Sequence, residues 1–252
     1  MEKHEEIEST LVNYFKQMHR EPNGDRTQAI EEITRNIPKL ISKYHNQMLL
    51  KPVDIEEVEH VVRQLKAGKA PGPNGFTSNF FHSFWELIKM EVWQVVEESR
   101  SLRWMFPGVS ATFIALVPKV DHPSTLDKYR PIALCNIIYK TVSKIIASRL
   151  KLLLPLIILP EQSGYVEGRQ ITDEIILTHE IIHSLKISKK PGMLLKLDLS
   201  KAFDSLSWVY IEKVLMAFRF AAPRVRWIMS LISSSFFSDL INGIPSSTFH
   251  PT

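Results

Sequence analysis

The sequence predicts an α+β fold, and three observations carry that reading. Helical periodicities and strand-like apolar runs are interleaved without the even alternation of a doubly wound sheet. Two β-rich runs, SATFIALVPKV and YRPIALCN, flank a short polar loop and suggest a hairpin. Long amphipathic stretches lie on both sides of that hairpin.

Residues 1–50 read as helices. IEEITRNIPKLI has apolar positions at helical spacing until Pro38 breaks it. Asp54 and Glu57 form a capping-box pattern ahead of a face made by Ile55, Val58, Val61, Val62 and Leu65. That helix must end in KAGKAPGPNG, residues 66–75, which holds two prolines and the glycines Gly68, Gly72 and Gly75. One long helical stretch is expected over 77–105. The strands of the hairpin follow at 110–120 and 129–136, joined by DHPSTLDK, so Lys119 and Arg130 fall near its tip. Residues 139–153 predict an amphipathic helix with Lys140, Lys144, Arg149 and Lys151 on its polar side. Residues 171–186 predict a helix packed through its isoleucines. A strand over 193–197 ends on Asp198, a helix spans 207–218, another follows, and SDLINGI closes the chain as one short strand.

The composition is that of a folded protein, with 252 residues, 44% hydrophobic and 23% charged. A single cysteine, Cys135, excludes a disulfide framework within the chain and favours a nuclear or cytoplasmic home. Its apolar neighbours predict a core position. The longest apolar run, 152–160, contains Pro155 and falls short of the ~20 residues that cross a bilayer, so no membrane association is expected. The acidic N-terminus has no apolar signal region. The net charge of +4 is unevenly placed: residues 1–60 carry 8 basic and 12 acidic side chains, residues 101–170 carry 9 and 4. The centre therefore attracts polyanions more than the total suggests.

Four patterns are candidates for chemistry. His179-Glu180-Ile181-Ile182-His183 matches the H-E-x-x-H spacing that sets two imidazoles one helical turn apart for zinc, as in metalloproteases. A third ligand and a fitting second segment are missing, so a plain helix surface is the better explanation. KAPGPNG is first a turn, and it also holds Lys69 where a phosphate could meet it. Lys119 and Arg130 form either an ordinary basic hairpin or a clamp for a triphosphate, since arginine binds phosphate in a bidentate fork. Asp198, at the end of an apolar run, either caps the next turn or holds Mg2+, which prefers hard oxygen ligands.

Taken in order, KAPGPNGFTSNFF, TFIALVPKV, KYRPIALCNIIYKTVSKIIASRL, EQSGYVEGRQITDEIIL and LLKLDLSKAFDSLSW closely resemble the reverse transcriptase of LINE-type (non-LTR) retrotransposons of the plant-like group. The likeness covers nearly the whole chain. It implies a right-hand polymerase fold, with a helical N-terminal extension over 1–67 and fingers plus an incomplete palm over 68–252. Lys119 and Arg130 would contact the incoming deoxynucleotide. Arg169 and Lys69 would contact nucleic acid, an RNA template with a DNA primer. Asp198 would be the catalytic, Mg2+-binding aspartate, with the backbone carbonyl of Leu199 a further ligand. Phe203 would be the aromatic gate that selects deoxyribose. Two departures qualify this. Asn74 stands where the family usually has aspartate, and the chain ends at INGIPSSTFHPT, before the G-L-R-Q-G-D-P and F/Y-A-D-D segments. With no Asp-Asp pair in the sequence, two ions cannot be placed by one carboxylate, so a fragment without polymerase activity of its own is expected. A nucleic-acid-binding remnant is the alternative, and the zinc metalloprotease the outsider.

Overall fold

The computed structural model describes residues 2–18, 20, 24–164, 166–189, 191–197 and 206–250. Among them are the helices α1 (Glu2–Met18), α2 (Thr27–Arg35), α3 (Lys43–Leu50), α4 (Ile55–Arg63), α5 (Ser78–Ser83), α6 (Trp85–Leu102), α7 (Pro107–Ser110), α8 (Ile137–Lys151), α9 (Leu154–Ile157), α10 (Ile171–Ser188), α11 (Trp208–Ala217) and α12 (Ala222–Ser233). The strands are β1 (Ala111–Pro118), β2 (Tyr129–Cys135), β3 (Phe236–Ile241) and β4 (Ile244–Pro245). The fold is α+β.

The sheet runs in the order β2-β1-β3-β4. β1 pairs antiparallel with β2 from Thr112 opposite Cys135 to Pro118 opposite Tyr129, so the expected hairpin forms. On its other side β1 runs parallel to β3, Ala111 opposite Phe236. SDLINGI is not one strand. It bends at Asn242 and Gly243, whose φ angles of 51° and 84° give the primed two-residue turn that Asn-Gly favours, and the chain returns as β4.

Four further expectations need correction. The stretch 77–105 is two helices, because Phe84 leaves helical geometry at φ −108° and ψ 15°; Trp85, the next residue, is buried. Residues 193–197 form no strand: the sheet offers them no partner, and Met193, Leu194, Leu195 and Leu197 are exposed. α10 is not packed either. None of its residues is buried, although isoleucines are spread along it. Cys135 is half-buried rather than a core residue.

The main core joins α4, α5, α6, α8 and α12 through Val58, Val61, Val62, Phe81, Trp85, Val96, Val142, Ile145, Trp227 and Leu231. It forms because α4 begins sharply: the Asp54 carboxylate accepts from the Glu57 amide at 2.7 Å. Only half of the capping box closes in this way. The Glu57 carboxylate instead receives the Arg149 guanidinium, from Nε at 2.8 Å and Nη2 at 2.5 Å. Arg149 therefore does not lie on a solvated face of α8. It also donates to the carbonyls of Lys51 at 2.7 Å and Pro52 at 3.1 Å. Arg224 of α12 is fully buried, stacks 5.0 Å over the Trp227 ring, and donates to Ile146 O at 3.0 Å and, at a longer 3.5 Å, to Leu49 O. Burial, then the neighbouring Arg149 charge, push its pKa down to about 10, with Glu57 opposing.

A second, smaller core sets α1 (Leu11, Val12, Phe15) against the sheet face of Ile114 and Ile241, with Phe249. Asp239 lies within β3, opposite Ile114, with no exposed surface. Its backbone pairs with Ser246, but neither carboxylate oxygen has a hydrogen-bond partner among the described residues. Burial alone pushes its pKa up to about 6.

Two outcomes are expected. Replacing Arg149 by Met leaves Glu57 half-sunk without its cation and should cost roughly 3 kcal/mol, read from the urea midpoint. For Asp239 the folded chain holds the proton more tightly than the unfolded chain, so stability should fall as pH rises from about 4 to about 6, then level off. Asp239→Val should abolish that slope and gain up to ~3 kcal/mol above pH 6, measured by thermal unfolding across a pH series.

Candidate functional site

The β1–β2 hairpin presents the charges that the sequence singled out. β1 is buried at Thr112 and Ile114 near its root and exposed from Val117 outward, while β2 is exposed from Arg130 to Ala133. The outer ends of both strands are therefore open to solvent, while Leu126 of the connecting loop packs against the core that holds α1. Val117 faces Arg130 across the ladder. Side chains alternate along a strand and paired residues share a face, so Lys119 and Arg130 lie on one face of the hairpin. The pairing continues past β1, since the Lys119 amide donates to Lys128 O at 2.8 Å.

The two cations differ in what they do. Lys119 Nζ donates to Asp127 O at 2.8 Å across the turn, which holds its ammonium in place. The Asp127 carboxyl is held below the usual range by the Thr125 hydroxyl, with the charges of Lys128 and Lys119 adding to the effect. Arg130 is exposed and has no hydrogen-bond or ion-pair partner among the described residues. A free guanidinium beside a tethered ammonium suits a polyphosphate, which takes a bidentate fork and a point charge together.

The root of the hairpin is organised by a residue that sequence reasoning missed. Asn136 is buried between β2 and α8. Its Nδ2 reaches the carbonyls of Gly108 at 3.2 Å, Val109 at 3.1 Å and Ala111 at 3.4 Å. Its Oδ1 accepts from the Asn74 amide at 3.0 Å. One side chain thus ties the start of β1, the end of β2 and the Pro/Gly loop together. Gly72 makes the close approach possible, because a Cβ there would sit 2.4 Å from Asn136 N and 2.5 Å from Cys135 C. An asparagine directly before an apolar helical run is the signal for this residue, but it reads as a helix cap. Asn74 accepts from the Phe76 amide at 3.2 Å, a bond that an aspartate would make equally well.

Lys69 is exposed on this loop and makes no ion pair among the described residues. Arg169 is half-buried and donates to the carbonyls of Leu159, Gln162 and Ile158, closing the loop that carries it. Asp198, Leu199 and Phe203 lie outside the described residues. Among the described residues no group of three or more His, Cys, Asp or Glu side chains is placed to hold a metal ion. His179, Glu180 and His183 are exposed on α10. No helix among the described residues is long and apolar enough to cross a membrane.

Comparison with known proteins follows from this geometry. The family described as reverse transcriptase (RNA-dependent DNA polymerase) matches residues 117–251, a stretch that begins inside β1. The chain is 28% identical over 214 residues to the transposon TX1 uncharacterized 149 kDa protein of Xenopus laevis, covering 85% of this chain and 16% of that protein. It is 26% identical over 161 residues to the retrovirus-related Pol polyprotein from type-1 retrotransposable element R1 of Bradysia coprophila, covering 62% of this chain and 16% of that protein. The chain thus spans 16% of the length of these curated relatives.

Gly72→Ala should force the loop off Asn136 and lower stability by roughly 1–3 kcal/mol, read from the denaturation midpoint. Gly108→Ala, where a Cβ meets nothing within 4 Å, should change it far less.

Proposed function

The chain belongs to the reverse transcriptase (RNA-dependent DNA polymerase) family, and on that footing we propose that it supplies the fingers and the first part of the palm of a non-LTR retrotransposon polymerase. The retrotransposon relatives support this origin. The observation that carries the reading is the pair Lys119 and Arg130 on one face of a hairpin whose outer strand ends are exposed, with Arg130 free of partners among the described residues. In this reading they grip the triphosphate of an incoming deoxynucleotide. Lys69 and the solvent side of Arg169 contact the RNA template or DNA primer, and Phe203 crowds the sugar's 2′ position.

Asp198 and the Leu199 carbonyl are hard oxygen donors and suit Mg2+. When bound, that ion supplies activation of a primer 3′ hydroxyl and charge neutralisation at the leaving pyrophosphate. A single carboxylate does not set the spacing of two ions, and the described residues add no acidic cluster to it. What the described residues contribute in this reading is binding and orientation. Lys119 is fixed by the Asp127 carbonyl, Arg130 turns freely to form a fork, and Asn136 sets the angle at which both leave the body.

Fluorescence titration with a deoxynucleoside triphosphate tests the assignment. Arg130→Ala should weaken binding about 10-fold or more, as expected for loss of charge-assisted bonds, and Arg130→Lys should recover part of it. Equal affinity in wild type, Arg130→Ala and Lys119→Ala would remove the hairpin from the site.

A further inference from the structure

A row of aromatic rings beside the Pro/Gly loop is only partly used by the core: Phe80 packs against it, while Phe76 and Phe84 on either side stay open. Phe76, Phe80 and Phe84 recur at four-residue spacing along and around α5, with centroids 4.5 Å and 5.1 Å apart and planes tilted by 41° and 42°. Phe76 is 45% exposed and Phe84 47%. Leu87 and Met90, both exposed on α6, extend the apolar stripe. The neighbouring alternate positions turn inward: Phe81 and Trp85 are buried in the main core. The same short segment thus has a core face and a second, open aromatic face. Large apolar groups in a continuous row on a surface mark a contact site.

The surroundings indicate what the contact is. Residues 60–85 contain Arg63, Lys66 and Lys69 and no aspartate or glutamate. Arg63 is paired with Glu59, but Lys66 and Lys69 are exposed and make no ion pair among the described residues. Two hydrogen bonds hold this cationic stretch against the ring-bearing helix. The Ser78 hydroxyl donates to Lys66 O at 2.8 Å, and the His82 ring meets Val62 O at 2.9 Å. The result is a short aromatic row edged by unpaired ammonium groups. A second copy of this chain fits it poorly, because a two-fold contact brings each patch onto itself and sets lysine against lysine. A polyanion that also carries flat apolar rings fits both features.

We propose that Phe76, Phe80 and Phe84, with Lys66 and Lys69, form a stacking platform for single-stranded nucleic acid. The bases lie on the open faces of Phe76 and Phe84, and the two lysines meet the phosphates. This rests on the polymerase reading and adds a subsite to it, separate from the hairpin that takes the nucleotide. Stacking on aromatic rings tolerates any base, so the platform holds a strand without selecting its sequence.

The test uses the full chain and fluorescence anisotropy with a labelled oligouridylate and an abasic oligomer of equal length. Phe84→Ala should weaken oligouridylate binding about 5- to 100-fold without altering the salt slope. Phe84→Leu, which keeps apolar bulk but not the ring, should do the same, and an unchanged unfolding midpoint confirms that each variant is folded. The abasic oligomer should bind weakly and be indifferent to both substitutions. The double variant Lys66→Ala/Lys69→Ala should instead flatten the salt slope by about 1.4, as for two phosphate contacts on a single strand. Oligouridylate affinity that ignores both Phe84 variants overturns the platform, as does a dimer that dissociates on Phe84→Ala. Deoxynucleotide titration at the hairpin is read separately, so loss of the platform with intact nucleotide binding leaves the polymerase reading standing.

Discussion

The main-chain segment 49–53, from the last residues of α3 into the connector to α4, is the constraint on which the packing depends. Guanidinium groups from three helices meet there. Arg100 of α6 donates to Leu50 O at 3.0 Å, Arg149 of α8 to Lys51 O, and Arg224 of α12 points at Leu49 O. Two carboxylates balance them, Glu57 on Arg149 and Glu97 on Arg100. Burial pushes the Glu97 carboxyl up, but bonds from Arg100 and the Val53 amide outweigh it and hold it below the usual range. Trp93 Nε1 adds a bond to Val53 O at 2.7 Å. Carbonyls at a connector would otherwise need water, and these are satisfied by cations anchored in the core. The acidic N-terminal part is thereby fastened to the basic centre by short-range pairs, whatever the long-range field.

That arrangement also determines where the hairpin stands. α8 carries Arg149 near its C-terminal end and is preceded at once by Asn136, so the helix links the clamp on 49–53 to the root of β1 and β2. Asn136 in turn holds the loop of Gly72 and Asn74. The outer ends of the hairpin strands are open to solvent, Leu126 of the connecting loop rests against the smaller core, and the base is fixed by one buried amide and one missing Cβ. A binding group on such an element keeps its direction while its end remains open to solvent.

What the sequence shows and what it hides divide along physical lines. The hairpin was legible because β-branched and apolar runs flank a polar loop, and the tip positions of Lys119 and Arg130 followed from it. The start of α4 was legible from Asp54, but the destination of Glu57 was not. A carboxylate three residues into a helix looks local, and only folding reveals a partner 92 positions away. Arg149 was hidden for the same reason, since helical periodicity assigns it to a polar face without saying that the face is covered. Asn136 looks like a cap and acts as a crosslink. Asn-Gly at 242 and 243 was a hairpin signal inside an apolar run, and the run was read as continuous. The metal-binding reading of Asp198 gained no geometric support, since that stretch lies outside the described residues.

α10 differs from the other long helices in having no buried side chain. A helix of 18 residues with no buried side chain, tied through Glu174 to the Ser163 amide, depends largely on its own local hydrogen bonds, and such helices are marginal in water. α8, with five buried residues, is held by the whole core. Backbone amides of α10 should therefore exchange with deuterium through brief local openings, long before those of α8, which need the main core to come apart. The chain would then behave as a hierarchy of opening free energies, with its isoleucine-rich helix well below the core helices.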